Sequence, residues 1–492
     1  MNMKNKKNNL KFKILLIISF ICIAIIITPK VFQNDTFYTI KVGESIIENG
    51  VDMKEHFAWT EGLEYTYPHW LYDVFIYLIY NFFGLNGIYI STIILSFILI
   101  STMYFTCNKI TKDRGISYIL SVILSLTMSS FIAARAQLVT YILFLIILYS
   151  IEMFRDTKNK RYSLYIILCS LLIANLHCAV WPFIFVLFLP YLVSDIIFFV
   201  NSKYFDNWVS LDRVDIENGS NFKSTLIVMI ISIFTGFLTP NRFVPFTYLI
   251  KTKMGVSMSH ISEHLPITIN ERPQLFVILS ILIIFMLKKN MKIKLKDLFL
   301  LGGLALLAFM SRRSYALFAV LAIFSIARLL VMYIGKSSPL TVEKVLLNNI
   351  IFVIFICLFL STSFAILSSN NKKDFINSKK YPVELSDYII NNLDLDNIKL
   401  FNEYNFGSYL LYKNIPVFID SRADLYLEEF NPSCTIFRDA VGLYKSYNVI
   451  FDKYDISHVV IYNTNKLKVV LDLDDGYKEL YEDDYFSLYE RV

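Results

Sequence analysis

Residues 29–46 read PKVFQNDTFYTIKVGESI, and the side of a membrane on which Asp35 falls decides how the whole chain is read. The stretch follows an apolar run at 14–32, and that run is preceded by the basic segment MNMKNKKNNLKFK. Phe37, Ile40, Ile46 and Ile47 recur at helical spacing and Gly50 closes the pattern. The segment therefore predicts a short amphipathic helix lying on a membrane surface, with Asp35 near its N-terminus. From position alone Asp35 is either a helix cap or a functional acid.

Composition settles that a membrane is involved. The 492-residue chain is 55% hydrophobic and 18% charged, with a mean hydropathy of +0.52. A soluble enzyme of this size carries more charge and fewer long apolar runs, so the chain reads as a polytopic membrane protein. The net charge of +6 comes from short Lys/Arg clusters between apolar runs, which calls for no nucleic-acid partner. The six cysteines, Cys22, Cys107, Cys169, Cys178, Cys357 and Cys434, form no CxxC pair. They suggest neither a disulfide framework nor a zinc site. Pro29, Lys30 and Val31 follow the first apolar run where a cleavage site would need small residues, so an uncleaved first span is expected.

Threading the apolar runs gives spans at 14–32, 87–108, 115–132, 137–154, 162–176, 179–201, 223–239, 272–287, 297–310, 314–334 and 345–367, about eleven in all. The clusters Lys4–Lys13, Lys109–Arg114, Arg155–Arg161 and 288–296, with Lys336 and Lys344, then share a side with the N-terminus, which makes that side cytoplasmic. The run WLYDVFIYLIYNFF at 70–83 would break this pattern as a span; its Trp70, Tyr72, Tyr77 and Tyr80 fit an interfacial or re-entrant helix. Asp35 is then extracytoplasmic, in a first outer loop over 33–86.

Positive charge is disfavoured on the outer side, yet several outer turns carry it. Arg135 and Gln137 share one turn, Asn175 and His177 the next, and Asn241 and Arg242 follow another span. Arg312 and Arg313 occupy a further turn, and His260, Glu263 and His264 lie in a long outer loop. Singly, each is explained by snorkelling or an internal ion pair. As a set they suggest one outer-leaflet cavity with cations around a phosphate, and Asp35 and Glu263 beside it. Nucleophile triads, Walker loops, GxGxxG and HExxH are absent, which argues against an ATP-driven pump and a zinc protease.

From about 368 the chain turns polar. SSNNKKDFINSKK reads as a linker, YPVELSDYIINNL as a helix, PVFID and SHVVIYN as short strands, and YKELYEDDYFSLYERV as a closing hairpin. The expected organisation is a membrane domain over 1–367 and a small extracytoplasmic α/β domain over 368–492. In FIDSRADLY, Asp420 and Arg422 either pair and fix a turn or face the cavity and bind substrate.

The segment LFNEYNFGSYLLYKNIPVFIDSRADLY resembles the tail of a group of bacterial polytopic proteins related to GT-C glycosyltransferases. It matches their pattern at Asn402, Phe406, Gly407, Tyr409, Leu410, Pro416, Asp420 and Arg422, and departs from it at Ser408 and Ser421, where the group has glycine. DTFYTIKVGESIIENG with HWLYDV, ARAQLVTY, NLH, NR after LTP, and SRRSYALF resemble the same group in the same order. The resemblance implies a helical GT-C-like bundle of about eleven spans, a polyprenyl-phosphate-sugar donor and an outer-face active site. It also implies a catalytic acid in the first outer loop, which maps onto Asp35. Some GT-C enzymes use a divalent metal such as Mg or Mn and others do not; this sequence is silent on the choice.

The expected function is therefore an integral membrane glycosyltransferase acting on a cell-envelope glycan, lipid or protein. Asp35 is the expected base, and Glu263 a second acid or metal ligand. Arg135, Gln137, Asn175, His177, Arg242, Arg312, Arg313, Asp420 and Arg422 are candidate substrate contacts. Two rivals stand beside it: a transporter or flippase of a lipid-linked precursor, and a non-catalytic envelope assembly protein with the same fold.

Overall fold

The computed structural model describes residues 3–204, 214–215, 221–254, 262–288, 291–335, 342–442 and 447–492. His260 and Lys336 lie outside the described residues. The chain divides into two compact units: Met1–Pro29, Tyr89–Pro245 and Ser262–Lys372 form one, and Lys30–Ile88, Phe246–Ile261 and Lys373–Val492 the other. By packing, the first outer loop thus groups with the C-terminal segment rather than with the rest of 1–367.

The first unit is helical. It contains α1 (Met3–Ile27), the later part of α3 (Trp70–Thr111), α4 (Arg114–Thr127), α5 (Ala136–Thr157), α6 (Lys160–Leu176), α7 (Phe183–Tyr204) and α8 (Phe222–Phe234). Helices at Pro273–Leu287, Leu295–Met310, Ser314–Leu321, Ile323–Ile334, Val342–Leu346 and Asn349–Asn371 also belong to it. Each apolar run read from the sequence is helical over most of its length. Among the described residues five helices are long and apolar enough to cross a membrane, and Ser314–Leu321 with Ile323–Ile334, bent by 45°, make a sixth. The helices at 114–127, 160–176, 222–234, 273–287 and 295–310 are shorter than the ~20 residues of a straight crossing.

The surface of this unit is apolar where water would demand charge. On Asn349–Asn371, Ile350, Val353, Ile354, Leu358 and Phe364 are all more than half exposed, which is stable only against hydrocarbon. The inner face of that helix meets α1, where Ser363 Oγ donates to Cys22 O at 3.3 Å.

Inside the bundle runs a network of buried charge. Arg155 donates to both oxygens of Asp195 at 2.8 and 2.7 Å. Glu152 accepts from Tyr191, Lys296 and Arg328 at 2.8, 3.1 and 3.0 Å, and Arg328 also pairs with Asp297. Cations and anions balance in this group, so each charge removed from water meets an opposite one.

The second unit begins with α2 (Asn34–Asn49), the predicted amphipathic helix. Phe37, Ile40 and Ile46 are buried, whereas Ile47 is half exposed. Gly43 is required where α2 crosses the start of α3, since a Cβ there would stand 2.2 Å from Asp73 O. The stretch 70–83 is helical, and Gly84, at φ 60° and ψ −158°, separates it from the rest of α3; a side chain would strain that backbone.

The C-terminal part carries a four-stranded sheet in the order β1 (Leu400–Asn402), β2 (His458–Tyr462), β4 (Phe486–Arg491), β3 (Tyr477–Glu482). The pair β1–β2 is parallel, and β3–β4 is the predicted antiparallel hairpin. The predicted helix appears at Val383–Asn392. PVFID corrects the strand expectation: Val417 makes an isolated bridge to Ala58 and the rest joins no strand. The reason is a side chain. The Asn402 amide donates to Ile419 O at 2.7 Å and accepts from Phe418 N at 2.9 Å, filling the bonds a neighbouring strand would have used.

Candidate active site

Asp35 lies in the first turn of α2. Gln33 occupies the N-cap position and no side chain caps it, so Asp35 is not the cap. Its charge still complements the helix dipole. Beside it, Asn34 Nδ2 donates to Tyr404 O at 3.1 Å, while Asn34 Oδ1 is buried with no hydrogen-bond partner among the described residues.

The charge of Asp35 acts on His69 and on Tyr381. His69 Nδ1 lies 2.6 Å from Asp73 Oδ1, and its Nε2 lies 3.1 Å from the Tyr38 hydroxyl. Burial disfavours the imidazolium, but Asp73, Asp424 and Asp35 outweigh it, so the His69 pKa stands above its ordinary value. Asp424, which accepts from Thr66 Oγ1 at 2.9 Å, is raised by its own burial. Asp73 Oδ2 has no hydrogen-bond partner among the described residues. Three carboxyl groups thus influence one imidazole. The sequence carried a sign of this that went unused: His69 and Asp73 are four apart at a helix start, which puts them on one face.

In the same unit, Arg422 is 2% exposed and Asp420 0%. Arg422 Nη2 donates to Asp420 Oδ2 at 2.6 Å and Nε to Oδ1 at 3.0 Å. Its Nη1 and Nη2 reach Glu55 Oε2 and Oε1 at 2.7 and 3.0 Å. Phe57 and Tyr65 rings lie 5.1 and 5.0 Å from the guanidinium, and the Tyr426 hydroxyl donates to Asp420 Oδ2 at 2.7 Å. Asp420 and Arg422 pair as the turn-fixing alternative requires, and both are occupied internally. Glu55, given no role by the sequence, is the partner that ties the first loop to this turn. Gly407 permits the packing, because a Cβ there would sit 2.0 Å from Ile419 O. Ser408 and Ser421, the two departures from the glycine pattern, touch: their hydroxyls are 2.8 Å apart, and Ser421 N donates to Ser408 Oγ at 3.1 Å.

The helical unit holds a second group. Arg135 Nη1 donates to Glu263 Oε1 at 3.2 Å. Arg313 N donates to Glu263 O at 3.3 Å, and Arg313 Nη1 lies 3.5 Å from His264 Nε2. Burial raises the Glu263 carboxyl, but Arg135 and Arg313 outweigh it and hold it below its ordinary value. That suits an ion-paired anion rather than a proton donor. The other candidates are engaged elsewhere. Arg312 pairs with Glu271, His177 Nδ1 lies 2.9 Å from Thr140 Oγ1, and Asn175 donates to Leu171 O and Leu238 O at 2.9 and 3.0 Å. Gln137 is half-buried in the first turn of α5. Arg242 is exposed, on a left-handed backbone at φ 52°. Among the described residues no three His, Cys, Asp or Glu side chains converge as a metal site.

Neither a family model nor a curated protein matches the chain. Solved structures do. The crystal structure of ArnT from Cupriavidus metallidurans bound to undecaprenyl phosphate aligns over 98% of this chain and 97% of its own, at 11% identity and a TM-score of 0.56. The chain has the GT-C fold. The archaeal oligosaccharyltransferase AglB from Archaeoglobus fulgidus, in complex with an inhibitory peptide and a dolichol-phosphate, aligns over 99% of this chain and 74% of its own. Its identity is 12% and its TM-score 0.52. At such identities the GT-C likeness is one of fold, and the role of each side chain rests on its own geometry.

Proposed function

We propose that the protein is an integral membrane glycosyltransferase that moves a sugar from a polyprenyl-phosphate donor to a cell-envelope acceptor at the outer face of the membrane. Two similar folds were solved with polyprenyl-type phosphates bound, which supports the donor class. The observation that carries the reading is Asp35. It is an acid in the first turn of α2, it does not cap the helix, and it acts on a half-buried histidine that two further carboxyl groups also influence.

In this reading the Asp35 carboxylate accepts the proton of the acceptor hydroxyl. The acceptor oxygen bonds to the anomeric carbon, the bond from that carbon to the phosphate oxygen breaks, and the polyprenyl phosphate departs with the electron pair. The carboxyl groups around His69, Asp73 first, favour its charged form and so bear on the field in which Asp35 works. The buried, unpartnered Asn34 Oδ1 supplies an acceptor for a sugar hydroxyl. The basic loops that share a side with the N-terminus support placing Asp35 and the C-terminal domain outside the cytoplasm.

The test uses purified protein in lipid with a pool of radiolabelled polyprenyl-phosphate sugars. Wild type is expected to release label to acceptor, and Asp35→Asn to lose at least about a hundredfold in rate at equal thermal stability. Equal transfer by Asp35→Asn would remove Asp35 from the chemistry. No transfer by wild type across several donor sugars would refute the enzymatic reading.

A further inference from the structure

The last apolar helix, Asn349–Asn371, runs straight into KKDFINSKK at 372–380, a run with four lysines and one acid that the proposed transfer does not use. Two contacts give the direction of that helix. Lys11 Nζ donates to Asn349 Oδ1, and Ser363 Oγ donates to Cys22 O at 3.3 Å. Early residues of α1 thus meet early residues of Asn349–Asn371, and late ones meet late ones, so the two helices run parallel. Both are long and apolar enough to cross a membrane, and they end on the same side of it, opposite the basic N-terminus. Positive charge is disfavoured on that side, so a lysine-rich run there calls for a partner.

The segment is ordered within the second unit. Phe32 N donates to Phe375 O at 2.9 Å, and the two rings stack at 5.4 Å. Tyr381 Oη donates to Phe32 O at 3.1 Å, and Tyr462 Oη to Lys380 O at 2.8 Å. Lys379 N donates to Asn377 Oδ1 at 2.9 Å. The run is therefore stapled to Phe32, which lies five residues beyond the end of α1. Lys373 is two residues past the other span, and Lys379 and Lys380 precede the tyrosine bonded to Phe32. Chain continuity keeps all three close to the level at which both spans leave the hydrocarbon.

The lysines are also uncommitted. Lys373, Lys379 and Lys380 are exposed, and among the described residues none forms an ion pair. Lys379 Nζ lies 5.7 Å from the centre of the Tyr485 ring, a contact that leaves its charge in place. Asp374 is exposed beside Lys373 and offsets one of the three, which leaves the segment positive. Clustered cations directly after a span, on a backbone that holds them there, fit an anionic headgroup layer.

We propose that Lys373, Lys379 and Lys380 form a docking surface for the phosphate headgroups of anionic phospholipids, in the leaflet where α1 and Asn349–Asn371 end. The surface does not depend on the transfer reading, and its ligand is the bulk lipid of the membrane rather than the sugar donor.

The full-length protein is placed in nanodiscs of phosphatidylcholine, with or without phosphatidylglycerol, and its lysines are acetylated under limiting reagent and read by peptide mass spectrometry. Phosphatidylglycerol is expected to slow modification of Lys373, Lys379 and Lys380 roughly fivefold, and 1 M sodium chloride to erase the difference. Lys466 and Lys478, exposed lysines elsewhere in the same unit, should react equally in both lipids. Phosphatidylglycerol should also raise the melting temperature of wild type by more than that of Lys373→Gln/Lys379→Gln/Lys380→Gln. Equal acetylation of the three lysines in both discs, equal slowing at Lys466 and Lys478, or an equal thermal gain in the variant would each overturn the proposal. Equal slowing in phosphatidylcholine discs by added soluble poly(glycerol phosphate) would overturn the lipid as the partner in favour of an anionic polymer.

Discussion

Replacing Arg422 with glutamine should open the C-terminal unit more than any other single polar substitution in it. The guanidinium is 2% exposed and faces two carboxylates, Asp420 and Glu55, with both of which it is bidentate or nearly so. Its removal leaves two buried negative charges without their cation. Breaking a buried ion pair by deleting one partner costs about 3–5 kcal/mol. Glu55→Gln is a far milder change. Arg422 keeps Asp420, and the pair left behind is neutral, so about 1–2 kcal/mol is expected. Cys434 supplies the readout: it is 8% exposed, and its Sγ lies 3.5 Å from Tyr426 O in the same core. With Cys434 as the sole cysteine, labelling by a polar maleimide reports the free energy of local opening. At 1.4 kcal/mol per tenfold, Arg422→Gln should speed labelling by about two orders of magnitude or more, and Glu55→Gln by about tenfold. Glu55→Gln/Arg422→Gln should label more slowly than Arg422→Gln alone, because one of the stranded charges is gone. Wild-type labelling in Arg422→Gln, or equal damage from Glu55→Gln, would refute the account of the buried triad.

His69 predicts a pH dependence. Its pKa is raised in the folded protein, so the stability it contributes is complete below about pH 6.5 and is lost as pH rises through the raised value. Cys434 labelling, corrected for thiolate content with a model thiol, should show the unit opening more readily from pH 6.5 upward by on the order of 1 kcal/mol, and His69→Gln should flatten that slope. Gly407→Ala should cost about 3 kcal/mol, since the new methyl would meet backbone, at 2.0 Å from Ile419 O; a melting temperature within a degree of wild type would count against the close approach.

Periodicity in the sequence was enough to find the helices, because burial against hydrocarbon or core needs only residue type and spacing. Phe37, Ile40 and Ile46 point into the core as their spacing requires, and the final hairpin follows from alternation. What escaped is long-range pairing. Nothing near Glu152 in sequence announces Lys296 or Arg328, and nothing near Arg422 announces Glu55. PVFID carries a strand's composition, yet Asn402 takes its backbone bonds. The outer cations were read as one set. Geometry groups Arg135, Arg313 and Glu263, and shows Arg312 engaged with Glu271 and His177 near Thr140.

The tail segment invites a reading as a binding motif because Asp and Arg follow an apolar run, but its geometry is that of a clamp. Asn402 and Gly407 hold the backbone of Phe418–Asp420, Asp420 holds Arg422, and Arg422 holds Glu55. Glu55 in turn accepts from Phe57 N and Ala58 N at 2.7 and 2.8 Å, so the bend in the first loop is set by the tail. That loop also carries Asp35 and His69. The two serines that replace glycines fit this role: each gains a hydroxyl, and the hydroxyls bond each other across the clamp instead of opening space for a ligand. Substitutions in the tail should therefore act on transfer through the shape of the first loop, lowering rate and stability together. Asp35→Asn should lower rate alone, and that contrast separates a residue that positions the loop from one that touches the reacting atoms.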